Sequence, residues 1–136
     1  KEIGLTITTL DDALCASIEP GAPPVSQRIL ALKKISEEGI PAWAFVGPVI
    51  PGIINEDKMT ELLSAIKDAG AYKVFVDRLR LKPGMWNYIG QYLKNDLEIY
   101  EACKKELFGN GDLFLRIRAH VKNACEDMGL ACEFNY

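Results

Sequence analysis

The chain has no closely spaced cysteines. Its four, Cys15, Cys103, Cys125 and Cys132, form neither a C-x-x-C nor a C-x-x-x-C-x-x-C pattern, and they are too sparse for a secreted disulfide scaffold. Buried free thiols in a reducing cytoplasm are the reading that follows. Histidine is represented once, by His120 between Ile117 and Val121, and no ligand-spaced partner accompanies it, so a structural role is expected. No apolar run approaches the roughly 18–20 residues that a membrane helix needs, and no membrane association is expected. Neither sign of charge dominates: a net charge of −3 argues against a globally basic nucleic-acid binder, although a local basic patch would still hold phosphates. The first residues lack the basic, apolar and small-residue succession of an export signal. There is no initiator Met, and regular structure starts almost at once, as in a chain that begins inside a larger protein.

What is present is an ordinary globular composition. With 136 residues, 49% apolar and 26% charged, the chain is long enough for one compact core. Residues 3–10 alternate apolar with small or polar types and read as a strand whose faces differ. A short helix over residues 11–18, capped by Thr9 or Asp11, stops at Glu19-Pro20-Gly21. Val25, Ile29, Leu32 and Ile35 mark an amphipathic helix closed by Gly39. Ala42-Trp43-Ala44-Phe45-Val46 is a continuous apolar run, as in a strand buried on both faces, and it runs into Pro51-Gly52, suited to a type II turn. Asn55 caps a helix buried through Met59, Leu62, Leu63 and Ile66, which Gly70 closes. Residues 72–79 form the next strand, halted by Lys82-Pro83-Gly84. A βαβαβ succession of this kind predicts parallel strands with right-handed crossovers.

The last third differs. Trp86, Ile89, Leu93, Leu97, Tyr100 and Leu107 predict one long or broken helix. Asp112 caps a further helix through Leu113, Ile117, Val121 and Met128, and residues 130–134 return as a short strand or cover an edge. Trp86, Tyr88 and Tyr92 sit at helical spacing and read as core and rim rather than as a base-stacking platform. Arg116, Arg118 and Lys122 read as a solvated face.

In parallel α/β folds ligands meet the carboxyl ends of the strands, which draws attention to three loops, residues 9–12, 47–52 and 77–84. The first two fall in a longer series: Ile7-Thr8-Thr9-Leu10-Asp11-Asp12, Ile18-Glu19-Pro20-Gly21-Ala22-Pro23, Arg28-Ile29-Leu30-Ala31-Leu32, Gly39-Ile40-Pro41 and Pro48-Val49-Ile50-Pro51-Gly52-Ile53. In this order they resemble the second half of radical S-adenosylmethionine enzymes of the DNA repair photolyase and spore photoproduct lyase-like branch. The match is strongest over residues 3–56, weaker through residues 77–84 and slight after Trp86.

The resemblance implies an α/β fold, a partial (β/α) barrel fragment of about three core parallel strands plus C-terminal helices and a possible short final strand. Residues 1–84 would be the second half of the barrel, and residues 85–136 a helical extension packed on it. It implies S-adenosylmethionine and a [4Fe–4S] cluster as cofactors of the parent protein, with the cluster-ligating cysteines absent from this chain, so that the isolated chain is expected to be inactive. Thr6 and Thr8 would face the methionine and ribose parts of the cofactor, the alternative being barrel-lining threonines. Arg28 would pair with the cofactor carboxylate, or else be solvated or tied to Glu19. Pro48, Val49 and Ile50 would lie against adenine, or serve as a rigid connector. Asp77 and Arg78 would contact substrate or cofactor, or form a local ion pair.

The expected partner is the N-terminal half of the same protein. Without it, the open edge and concave face predict a homodimer of this chain. Nucleic acid enters as a partner by the resemblance alone. A different reading is a non-enzymatic α/β domain that binds a small molecule or a partner. A flavodoxin-like domain fits less well, since the first βα loop is not of a phosphate-binding type.

Overall fold

The computed structural model describes residues 1–136 apart from Lys94 and the side chains of Ile89 and Tyr92. The apolar roles expected for Ile89 and Tyr92 lie outside the described residues. The elements are β1 (Ile3–Thr6), α1 (Asp12–Ile18), α2 (Val25–Glu37), β2 (Ala42–Val49), α3 (Glu56–Asp68), β3 (Lys73–Arg78), α4 (Met85–Leu93), α5 (Leu97–Phe108), α6 (Leu113–Met128) and β4 (Ala131–Phe134). The four strands form one sheet in the order β1-β2-β3-β4, and every pairing is parallel.

Space order therefore equals chain order. When each crossover moves one strand further in the same direction with the same hand, all the connecting helices must fall on one side of the sheet. Accordingly α2 packs on α3, and α3 on α6. Between this helical layer and the sheet lies the core: Ala42, Ala44 and Val46 of β2 and Val74 and Val76 of β3 meet Leu32, Met59, Leu63, Ile66, Ile117 and Val121, all buried. Among the described residues no helix layer packs on the other face of the sheet. Its residues Trp43, Phe45 and Phe75 are only partly buried, so the apolar run of β2 is enclosed on one face, not on the two that its composition predicts.

The first strand is shorter than expected, ending at Thr6, yet the chain stays against its neighbour, since Ile7 N donates to Phe45 O at 2.8 Å. The last segment is a true fourth strand, in register with β3 from Lys73↔Ala131 to Val76↔Phe134. The sheet thus runs across residue 84: α6 and β4 continue the layers built by the first 84 residues, while α4 and α5 pack on each other at one end.

Helix ends follow local chemistry with one exception. Asp11 and Asn55 accept from the N–H groups of Leu14 at 3.0 Å and Lys58 at 2.8 Å, the N-caps that their residue types favour. Asp112 does not cap α6; its carboxylate bonds Arg116 Nε at 2.9 Å. The open N–H groups of Leu113 and Phe114 are instead taken by the Glu106 carboxylate of α5, each at 3.1 Å.

The turn after β2 has the expected form. Ile53 N bonds Ile50 O at 3.1 Å, with Pro51 and Gly52 at the centre and Gly52 at φ +86°. A Cβ at Gly52 would stand 2.8 Å from Ile99 Cα, so α5 rests directly on the turn backbone. Gly39, at φ +78°, has nothing within 4 Å of where a Cβ would go. Gly52→Ala therefore adds a backbone clash to the conformational strain that Gly39→Ala incurs alone. In urea unfolding, Gly39→Ala should cost about 1 kcal/mol and Gly52→Ala about 2–3 kcal/mol; equal costs would remove the α5 contact from the account.

Candidate functional site at the strand ends

The carboxyl end of β1 is organised by a part-buried cation. Arg28, in the first turns of α2, donates through Nε to Pro23 O at 3.0 Å, and through Nη1 to Thr6 O at 3.0 Å and Glu19 Oε2 at 3.2 Å. Its Nη2 reaches Cys15 Sγ at 3.5 Å. The side chain is only 11% exposed. A fork of donors matched to two carbonyls, a carboxylate and a sulfur fastens α1, the following loop and the end of β1 to α2. Of the roles open to Arg28 in the sequence, the structure shows the tie to Glu19. Cys15 in turn donates to Glu19 Oε2 at 3.3 Å, and burial, with that bond, raises its thiol pKa. A second tie joins the starts of the two helices, where Asp12 accepts from Ser26 N at 3.0 Å and Ser26 Oγ at 2.6 Å. These bonds hold the Asp12 carboxyl below its ordinary pKa.

The other expected site residues separate into those that point out and those already engaged. Thr6 lies in register with Phe45 and, through it, Phe75 and Glu133, on the uncovered face and exposed. Thr8 is 4% exposed, and its hydroxyl donates to Gly47 O at 3.4 Å. Asp77 accepts from Arg80 Nη1 at 2.5 Å, Asn135 Nδ2 at 3.2 Å and the backbone N–H of Arg78 at 2.9 Å, so it organises the end of β3. The Arg78 guanidinium lies 5.7 Å from the centre of the Phe114 ring. The local ion pair at this position is therefore Asp77–Arg80, not Asp77–Arg78. Val49 is wholly buried and Ile50 only 8% exposed, leaving Pro48 as the exposed one of the three.

Pro48 and Ile50 form part of a cleft of about 390 Å³ over the end of β2. Ile18 and Pro20 close it from the α1 side, Ile53 and Leu79 form its floor, and Tyr88 and Leu93 of α4 make the far wall. Sequence reasoning missed this cleft because its walls come from four segments, one of them in the third of the chain where the resemblance fades. It also missed the aromatic row: Phe45 and Phe75 stack with centroids 5.6 Å apart and planes at 20°. The alternation of Trp43 and Phe45 with Ala42, Ala44 and Val46 was the available signal.

His120 has the structural role expected of it. Its Nε2 is 2.6 Å from Thr60 Oγ1, and the single Thr60 hydroxyl proton goes to Glu56 O at 3.1 Å. His120 Nε2 must then carry the proton that bridges α6 to α3. Among the described residues no group of three or more His, Cys, Asp or Glu side chains could hold a metal ion, and no helix is long and apolar enough to cross a membrane.

The chain is similar to an uncharacterized protein of Methanocaldococcus jannaschii, 44% identical over 54 residues that make up 40% of this chain and 21% of that protein. It is also similar to an uncharacterized protein of the Acidianus two-tailed virus, 29% identical over 107 residues, 76% of this chain and 36% of that protein. The matched stretch is thus a minor part of either relative. No family model matches the chain, and no solved structure matches it.

Two outcomes follow from this arrangement. Arg28→Ala strands the Glu19 carboxylate and two carbonyls, and should lower unfolding free energy by about 2–3 kcal/mol, against under about 1 kcal/mol for the exposed Arg80→Ala; comparable losses in urea titrations would refute the clamp. The thiols provide the second test. Cys103 and Cys125 are buried, and desolvation pushes them up to about 11 and about 12. An acid whose folded pKa is raised stabilises the fold below its unfolded pKa and loses that contribution as pH climbs toward the folded value. Stability should therefore fall from about pH 9 upward, and less steeply in Cys103→Ala; a pH-independent midpoint between pH 8 and 11 would contradict this.

Proposed function

We propose that this chain is the C-terminal part of a radical S-adenosylmethionine enzyme resembling DNA repair photolyases, contributing contacts to S-adenosylmethionine and substrate. The observation that carries the reading is the sheet: four parallel strands in chain order, helices on one face, the other face bare and aromatic. This is the arrangement of a barrel segment, whose inner face is completed by further strands. Two of the sequence motifs that carry the resemblance, residues 7–12 and 48–53, follow β1 and close β2, at the strand ends where such folds bind their ligands.

The residues present fit the two cofactors unequally. The dispersed cysteines do not fit an iron–sulfur cluster, and its ligands belong to the N-terminal half of the same protein. S-adenosylmethionine, once bound, supplies the radical that starts such reactions. Toward it this chain offers the exposed Thr6 hydroxyl on the inner face, whereas Pro48 and Ile50 face the neighbouring cleft rather than an adenine ring. Thr8 and Val49 act from beneath, as supports. Arg28 holds the shape of the strand ends rather than the cofactor carboxylate, and Asp77 with Arg78 borders the substrate side. The N-terminal half covers the bare face; in its absence a second copy does so, giving a homodimer. A cytoplasmic setting suits the free thiols.

A second reading, a non-enzymatic α/β ligand- or partner-binding domain, is favoured by the way Arg28, Thr8 and Asp77 spend their polar atoms inside the fold. The deciding experiment is anaerobic purification of the natural protein that contains this chain. Cluster absorption and reductive cleavage of S-adenosylmethionine are expected, and a protein that shows neither after iron and sulfide reconstitution supports the second reading. For the isolated chain, light scattering over a concentration series should show a dimer mass; a persistent monomer would defeat the self-association.

A further inference from the structure

The cleft between α1 and α4 has a lining that limits what it accepts. Among the described residues no ionised side chain borders it; besides apolar residues its described lining includes Ser17 and Tyr88. Its volume of about 390 Å³ lies at the lower end of small-ligand sites, about 300–1,000 Å³.

The backbone of the turn that forms its near side is equally unforthcoming. Pro48 and Pro51 have no N–H to give. The Val49 carbonyl accepts from Leu79 N at 3.2 Å, and that of Ile50 from Ile53 N at 3.1 Å and Ile54 N at 3.2 Å. The Pro51 carbonyl accepts from Cys103 Sγ at 3.4 Å. A ring with several polar edge atoms, such as a purine, would leave most of them without partners on entering. Each such loss costs about 1–3 kcal/mol. A ring with at most one donor loses almost nothing and gains the burial of its faces against Ile18, Pro48, Ile50 and Leu79.

We propose that this cleft is the seat of a neutral apolar ring, aromatic or aliphatic, bearing at most one hydrogen-bonding group, which Ser17 serves. It is a site distinct from that of any adenine ring. The identification of its occupant as part of the substrate rests on the enzymatic reading above; the preference for an uncharged apolar ring rests on the lining alone. The substrate class it names is one whose bound portion carries no phosphate, carboxylate or ammonium.

The test is a titration of the full 136-residue chain, with methyl-labelled Ile and Leu, against indole, adenosine and adenosine monophosphate, followed by NMR. Indole should shift the methyls of Ile18, Ile50, Ile53 and Leu79 saturably, and bind at least about tenfold more tightly than adenosine, with the monophosphate weaker still. Ile50→Trp, which fills the cleft from its rim, should abolish the indole shifts; Leu93→Trp does the same from α4 should the first variant fail to fold. Adenosine binding as tightly as indole would overturn the proposal, as would indole shifts confined to residues beside Trp43, Phe45 and Phe75, or no shifts at all. Failure of S-adenosylmethionine cleavage in the longer protein would defeat the enzymatic reading and leave this preference standing, whereas adenosine preference would defeat the cleft assignment and leave that reading intact.

Discussion

A parallel sheet whose strands follow one another in space as in sequence must take all of its crossovers on one side, and most of this molecule depends on that constraint. It decides which alternate residues of each strand are core: Ala42, Ala44, Val46, Val74 and Val76 are closed off by α2, α3 and α6. It leaves Thr6, Trp43, Phe45 and Phe75 on a face with no helix above it. It also gathers every loop that follows a strand at one rim, so that segments as distant as α1 and α4 come to border one cleft.

Within that frame, polar side chains mostly hold shape. Arg28 makes four hydrogen bonds within the fold, Asp77 accepts three, from Arg80, Asn135 and its own loop, and Thr8 bonds across to β2. Such a rim is preorganised, its loops held by charge-assisted bonds in a partly desolvated setting where they are strong. The surface left for recognition is then chiefly apolar, with a few hydroxyls at its margin. The relatives in Methanocaldococcus jannaschii and the Acidianus two-tailed virus extend well beyond the matched stretch.

Much of the fold was legible because it is written in short-range periodicity. The stripe Met59, Leu62, Leu63 and Ile66 is buried as its spacing requires, and the glycines at 39, 70 and 129 adopt the positive φ that ends a helix. Asn55 and Asp11 cap as their types prefer. What failed depends on partners far apart in the chain. Asp112 has every local qualification for a cap, yet Glu106 reaches α6 first from the preceding helix. The Arg28 clamp closes across 22 residues to Thr6, and no spacing rule distinguishes it from a ligand-binding arginine. The apolar composition of β2 is compatible with one covered face or two, since half-covered aromatics and buried aliphatics look alike in sequence. The order of motifs pointed to the carboxyl ends of the strands, but not to the wall that α4 supplies to the cleft there.

The contact between Gly52 and Ile99 gives the molecule a modular rim. The floor of the cleft belongs to the sheet and its turns, whereas its far wall is Tyr88 and Leu93, carried on a helical pair that leans on the turn backbone through α5. Substitutions along α4 can therefore recut the cavity's width and polarity while the strand register, the Arg28 clamp and the helical layer stay as they are. The far wall of the cleft and the architecture are written in separate stretches of this chain, and the first can drift without endangering the second.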